Sequence, residues 1–213
     1  MDARLQRVSY YVQQQLASDH TGHDFAHVQR VVKLTQKLLQ TEPADATLAL
    51  TIAYLHDVPD EKLTTDPEQK RHAIAQKLAE WQYQPNEIHL IMEDIEHLSF
   101  SKNLEQHYQL DPAGQVAQDA DRLDAIGPVA IARTFAYGAV HGIPMYEPHV
   151  SEQTLTSKRA YRHPTDTYHH YRARTKRVVQ LLNTATAQRM AGPRMQATER
   201  FLTRFVAERQ GKR

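Results

Sequence analysis

The 213-residue chain is 40% hydrophobic and 24% charged and has no cysteine, which excludes a disulfide scaffold, a thiolate zinc site and a cysteine nucleophile. Its formal net charge of +1 conceals a division: residues 158–213 carry 14 Lys and Arg against 3 Asp and Glu, and residues 1–157 carry 12 against 22. The opening MDARLQRVSYYVQQQL lacks the apolar core of a signal peptide, and no run approaches the ~20 apolar residues of a membrane span, so a soluble, cytoplasmic protein with no membrane partner is expected.

Apolar residues recur at helical spacing nearly throughout, which predicts an all-α fold. Leu5, Val8, Tyr11 and Val12 mark a first helix, ended by the cap-like and glycine-bearing ASDHTGHD. Phe25, Val28, Val31, Val32, Thr35, Leu38 and Leu39 form the stripe of a second. Beyond Pro43 a third carries Leu48, Ala49, Ile52, Ala53 and Leu55, and ends near His56 or Asp57 because Pro59 disfavours helix at Val58. A fourth starts after Asp66-Pro67 with Ile74, Leu78 and Trp81; a fifth runs from Pro85 to Leu98. Gln115 to Ala136 reads as one or two helices interrupted at Gly127-Pro128. Gly138 to Pro164 reads as a long irregular segment, either a lid or substrate-binding loop or a disordered excursion. Residues 165–187 and 194–209 read as two basic helices joined at Gly192-Pro193. Strand alternation is nearly absent, and neither GxGxxG nor GxxxxGK[ST] occurs, so Rossmann and P-loop readings have no footing.

The stretch AYLHDVPDEK places His56, Asp57, Asp60, Glu61 and Lys62 beside an apolar helix. Buried charges need partners, and imidazole with carboxylate is the usual metal donor set when thiolates are absent. Neighbouring helical residues diverge by about 100°, so one ion between His56 and Asp57 needs further ligands from other helices. Two candidates are His27, at the border of the second helix's apolar face, and Asp121, in QDADRLDAIG. Asp119 and Asp124 compete with Asp121, and His23 with His27 is an i, i+4 pair that could itself chelate a metal. HExxH does not occur.

His27, His56-Asp57 and Asp121 together resemble the H…HD…D signature of the HD-domain metal-dependent phosphohydrolases. HDFAHVQRVVKL, AYLHDVPDEK, IEHLSFSKN and DADRLDAIGPVAIARTFAYG resemble segments of a small bacterial subgroup that is nucleotide pyrophosphohydrolase-like. The similarity covers residues 20–140 well and the C-terminal helices more loosely. It implies a single compact multi-helix HD-type bundle over residues 1–213, with its core at 20–140, the long loop at 138–164 and the basic C-terminal helices at 165–210. It also implies one divalent ion held by His27, His56, Asp57 and Asp121, and hydrolysis of phosphate esters or anhydrides, mainly of nucleotides. In the family's guanosine tetraphosphate hydrolases an acidic pair two residues beyond the HD pair helps to activate water. Here Asp60-Glu61 stands in that place in reversed order, which leaves open which carboxylate acts.

The resulting expectation is a hydrolase on a phosphorylated small molecule, a nucleotide foremost, with pyrophosphate release from nucleoside triphosphates as the narrower reading. Asp60 or Glu61 would take a proton from water. Lys62, Arg122 or Arg133 would offset phosphate charge, with Arg122 favoured as a residue behind the site or in a salt bridge. Manganese, magnesium, nickel, iron, cobalt and zinc all suit two imidazoles and two carboxylates. His97 and Ser99 to Lys102 either line the substrate pocket or form a helix end. Tyr168, His169, His170 and Tyr171 either stack on a base or give a helix with an aromatic core face and a basic solvent face. The alternatives are a nucleotide-sensing HD module without turnover, and nucleic-acid binding through the basic C-terminal segment. The last helix packs on the core or, in a homo-oligomer, on another subunit.

Overall fold

The computed structural model describes residues 2–17, 24–60, 64–151 and 154–212. Among them are ten α-helices and no strand. The helices are α1 (Ala3–Gln15), α2 (Phe25–Leu38), α3 (Ala46–Leu55), α4 (Pro67–Glu80), α5 (Pro85–Leu98), α6 (Pro112–Asp124), α7 (Pro128–Val140), α8 (Lys158–Arg162), α9 (Thr167–Gln180) and α10 (Ala185–Arg209). An all-α fold is what the periodicity predicts.

Local chemistry sets the helix starts. Asp2, Asp24, Asp45, Asp66, Asp111 and Asp166 cap six of the helices, each accepting a backbone N–H from the first turn. Proline opens α4, α5, α6 and α7, where its missing N–H costs nothing. Gly127 caps α7 at φ 97°, a backbone conformation that side chains disfavour, and its N–H reaches the Tyr171 hydroxyl at 3.2 Å and Thr198 Oγ1 at 3.1 Å.

The central helix is α3, whose sequence ATLALTIAYL is apolar on every side and needs cover all round. Helices α2 and α6 pack across it, with α1 and α5 also against it. Ile52 and Leu55 are wholly buried, each stabilising the fold by about 1.5–3 kcal/mol. Beside this core, Ala130, Ile131, Tyr168, Tyr171 and Leu202 form a smaller cluster that joins α7, α9 and α10.

Two expectations are corrected. The segment 138–164 is not irregular throughout: α7 runs on to Val140, and α8 forms within it. The break between the basic helices lies at residues 181–184, not at Gly192-Pro193, and α10 continues through Pro193. The reason is Asp119 of α6. Its fully buried carboxylate accepts from Asn183 N at 2.8 Å, Asn183 Nδ2 at 3.0 Å, Thr184 N at 2.7 Å and Thr184 Oγ1 at 2.8 Å. Thr184 then caps α10. These bonds outweigh the loss of one hydrogen bond at Pro193.

A second buried carboxylate marks the α5–α6 contact. Asp94 is buried against Gly114, where a Cβ would stand 2.3 Å from the carboxyl carbon. Its Oδ2 has no hydrogen-bond partner among the described residues. Burial first, and then the Asp111 carboxylate, push Asp94 up from 3.8 to about 8.

Replacing Asp119 by alanine strands two backbone N–H groups, and is expected to cost about 3 kcal/mol. In thermal melts this is a fall of about 6–12 °C in Tm; an unchanged Tm would show that the 181–184 linker does not depend on Asp119. Asp94 sets a pH trend. The unfolded chain releases its proton near 3.8 and the folded chain keeps it to about 8, so stability falls as pH rises between those values. Asp94→Asn is expected to flatten that slope in melts taken between about pH 5 and 8; identical slopes in both proteins would mean that Asp94 ionises normally.

Candidate metal centre

Three helix ends bring the site together. Asp24 caps α2 and accepts the His27 N–H at 2.9 Å, which fixes His27 in the first turn. His56 is the C-cap of α3 and Asp57 follows it, in a turn closed by Val58 N donating to Leu55 O and Asp60 N to Asp57 O, both at 3.0 Å. Asp121 belongs to the last turn of α6.

Each imidazole has one nitrogen occupied by the fold. His27 Nδ1 lies 2.8 Å from Asp124 Oδ2 and donates to it; His56 Nδ1 donates to the Ala53 carbonyl at 2.9 Å. Both Nε2 atoms therefore face the same space, where each can offer a lone pair once its proton is given up. His27 Nε2 stands 3.4 Å from Asp57 Oδ2 and 3.4 Å from Asp121 Oδ1. His56 Nε2 stands 3.3 Å from Asp57 Oδ2 and 3.8 Å from Asp121 Oδ1. Donors at about 2.1 Å from one ion lie about 3.0 to 3.4 Å apart, depending on its geometry. Among the described residues buried His56 Nε2 has no hydrogen-bond partner, a costly state that an ion relieves. His27, His56 and Asp57 thus form a cluster that could hold a metal ion, with Asp121 beside it.

Electrostatics agrees with this reading. Burial opposes protonation of His27, yet the carboxylates of Asp121, Asp124 and Asp57 raise it to about 10. Burial likewise opposes protonation of His56, and Asp57 followed by Asp121 raises it. The pair sits in a field that favours positive charge at its centre.

Sequence reasoning left Asp119, Asp121 and Asp124 in competition, and the structure separates them. Asp119 faces the 181–184 linker. Asp124, which lines no part of the cleft, also accepts from Arg30 Nε at 2.9 Å, Arg30 Nη2 at 3.1 Å and Arg133 Nη1 at 2.8 Å. Burial raises its pKa, but His27 and Arg30 outweigh that and hold it well below the usual carboxylate range. Only its i+3 spacing from Asp121 hinted that it shares the His27 side of α6.

A cleft of about 320 Å³ opens above the cluster, lined by His27, His56, Asp57, Asp60 and Asp121. Asp60 is thus beside the metal candidates. Glu61, Lys62 and His23 lie outside the described residues. Ser99, Phe100, Ser101 and Lys102 line the cleft, whereas His97 stacks on Tyr108 with centroids 4.0 Å apart. Among the described residues Arg122 makes no salt bridge; it is buried near Asp119 and Asp121, and its Nη1 donates to the Leu181 carbonyl. Arg133 lines the cleft while holding Asp124. Tyr168 and Tyr171 are core residues, as the aromatic-face reading has it, but His170 and Arg174 of the same helix line cavities rather than facing open solvent. Among the described residues no helix is long and apolar enough to cross a membrane.

The comparisons with known proteins converge with this geometry. The model of the HD domain matches residues 24–126, which span His27 to Asp121. The Bacillus subtilis protein YpgQ is 28% identical over 204 residues, covering 95% of this chain and 90% of that one. Its crystal structure in complex with ADP superimposes with a TM-score of 0.73 over 96% of both chains, at 25% identity. A crystal structure from Lactobacillus plantarum matches with a TM-score of 0.88 and 33% identity over 99% of both chains. An HD-superfamily hydrolase from Bacillus thuringiensis matches with a TM-score of 0.74 and 28% identity over 97% of this chain and 96% of that one. The chain belongs to the HD domain family.

Proposed function

We propose that this protein is a divalent-metal-dependent phosphohydrolase acting on nucleotides, with pyrophosphate release from nucleoside triphosphates as the narrower reading. One observation carries it: two imidazole nitrogens and two carboxylates face one point at the floor of a cleft that also exposes cations. The ADP bound by YpgQ supports the nucleotide class.

In this reading His27, His56, Asp57 and Asp121 are the ligands, with Asp124 holding His27 in the tautomer that presents Nε2. A bound divalent ion lowers the pKa of its water and polarises a phosphoryl oxygen. Asp60 accepts the proton of the attacking water or orients it, a role its place in the cleft wall allows. Glu61 and Lys62, adjacent in sequence, are assigned to water activation and phosphate binding by their position after the HD pair. Arg133, which lines the cleft, stabilises charge on the phosphate. The ion is one of manganese, magnesium, nickel, iron, cobalt or zinc, since the nitrogen and oxygen donors suit all of them.

Phosphate and pyrophosphate release from a panel of nucleotides, with Mn²⁺, Mg²⁺, Ni²⁺ or Zn²⁺ added to metal-free protein, tests this directly. Turnover that needs metal and disappears in Asp57→Ala is the expected result, and the released species separates pyrophosphohydrolase from monophosphatase. Metal binding without turnover of any nucleotide would instead favour a sensing module, and no metal binding would remove the reading altogether. Asp124→Asn is expected to weaken metal affinity by about 10- to 100-fold in calorimetric titration while the protein stays folded. Unchanged affinity would show that His27 needs no such support.

A further inference from the structure

Next to the metal cleft lies a second cavity of about 700 Å³. The two share Ala125, Arg133, Tyr161 and Arg174 as lining, so these residues form the junction between them. Among the described residues no acidic side chain lines the second cavity, whereas Arg162, His163, His141 and His170 do.

The cations around the metal cleft differ in what they already hold. Arg71 pairs with Glu96 at 2.9 Å, and Lys102 pairs with the same carboxylate. Arg133 donates to Asp124. Arg174 stands apart: its guanidinium has no hydrogen bond or ion pair with any described residue, and its Nε is shielded from solvent. Its charged neighbours are of its own sign. It opposes the charge on Arg133, and burial together with Arg174 holds His170 down to about 4. A half-buried guanidinium with five donors, beside another guanidinium and without a carboxylate, is unfavourable until an anion joins it.

We propose that Arg174 is a phosphate-binding residue at the junction of the two cavities, gripping the phosphoryl group next to the one at the metal cluster. The cleft then prefers a chain of two or more phosphoryl groups to a monoester, with the organic part of the substrate in the second cavity. The proposal rests on the hydrolase reading for the metal end of the chain. Arginine suits this place because its planar fork grips phosphate oxygens in pairs. The ligand chemistry is shared by inorganic polyphosphate and nucleoside triphosphates, so the inorganic form isolates the phosphate grip from any contact with a base.

Calorimetric titration of inorganic tripolyphosphate into wild type, Arg174→Gln, Arg174→Lys and the exposed-site control Arg200→Gln tests it. Arg174→Gln is expected to bind about tenfold or more weakly, Arg174→Lys to recover part of the loss, and Arg200→Gln to match wild type. Mn²⁺ affinity should stay unchanged in Arg174→Gln. Its Tm should hold or rise, because an unpaired charge among like charges has been removed; a purely structural arginine would lower it. Equal affinity of wild type and Arg174→Gln, equal loss in Arg200→Gln, or no binding by wild type would each overturn the proposal. Loss of tripolyphosphate binding in a protein that turns over no nucleotide would sink the hydrolase reading and keep Arg174. Turnover with KM for nucleoside triphosphate unmoved by Arg174→Gln would do the reverse.

Discussion

Helix α6 carries three aspartates, and nearly every one of its residues is buried. Each carboxylate therefore has to find a partner inside the protein, and those partners organise the rest of the molecule. At 100° per residue, Asp121 and Asp124 point about 60° apart, and Asp119 points well away from both. The angular arithmetic is visible in the contacts. Asp121 and Asp124 reach opposite nitrogens of one imidazole, His27, while Asp119 turns to the linker that starts α10. One thirteen-residue helix thus fastens the metal cluster, its outer support and the C-terminal helices at once.

Much of this was legible in the residues themselves. Aspartate caps, proline starts and apolar spacing locate α1 to α6 closely, because those signals are local. The HD pair at the end of α3 is also local: Pro59 stops the helix where the two side chains leave it. What periodicity cannot supply is the partner across space. Asp124 had no signal beyond its spacing from Asp121, since its role depends on Arg30 and Arg133 approaching from two other helices. The break at residues 181–184 was hidden for the same reason. Gly192-Pro193 is the stronger local breaker, but Asp119 is a tertiary cap that the sequence of α10 does not display.

The segregation of charge along the chain also has a structural meaning that composition alone left open. The basic segment neither packs uniformly against the acidic part nor lies wholly in solvent. Helix α9 buries Tyr168, Tyr171 and Val178 on one side and sets His170 and Arg174 against the cavities on another. Its aromatic face anchors it to α7 and α10, which fixes where its cations stand. A helix that reads as basic and amphipathic therefore supplies lining to both cavities.

The metal cluster and the junction of the two cavities make opposite electrostatic demands. Around His27 and His56 the carboxylates raise both imidazoles; at the junction with the second cavity Arg174 opposes the charge on Arg133, and burial together with Arg174 holds His170 down to about 4. Arg133 links the two sets, since its Nη1 donates to Asp124 at 2.8 Å and lies 3.1 Å from His27 Nδ1. A cation at the first and an anion bridging to the second satisfy both together, because a phosphate chain bound to a divalent ion carries both signs in that order. In the proposed function the polarity of the cleft is thus the complement of a metal–phosphate ligand, and the affinity for either part should depend on the presence of the other.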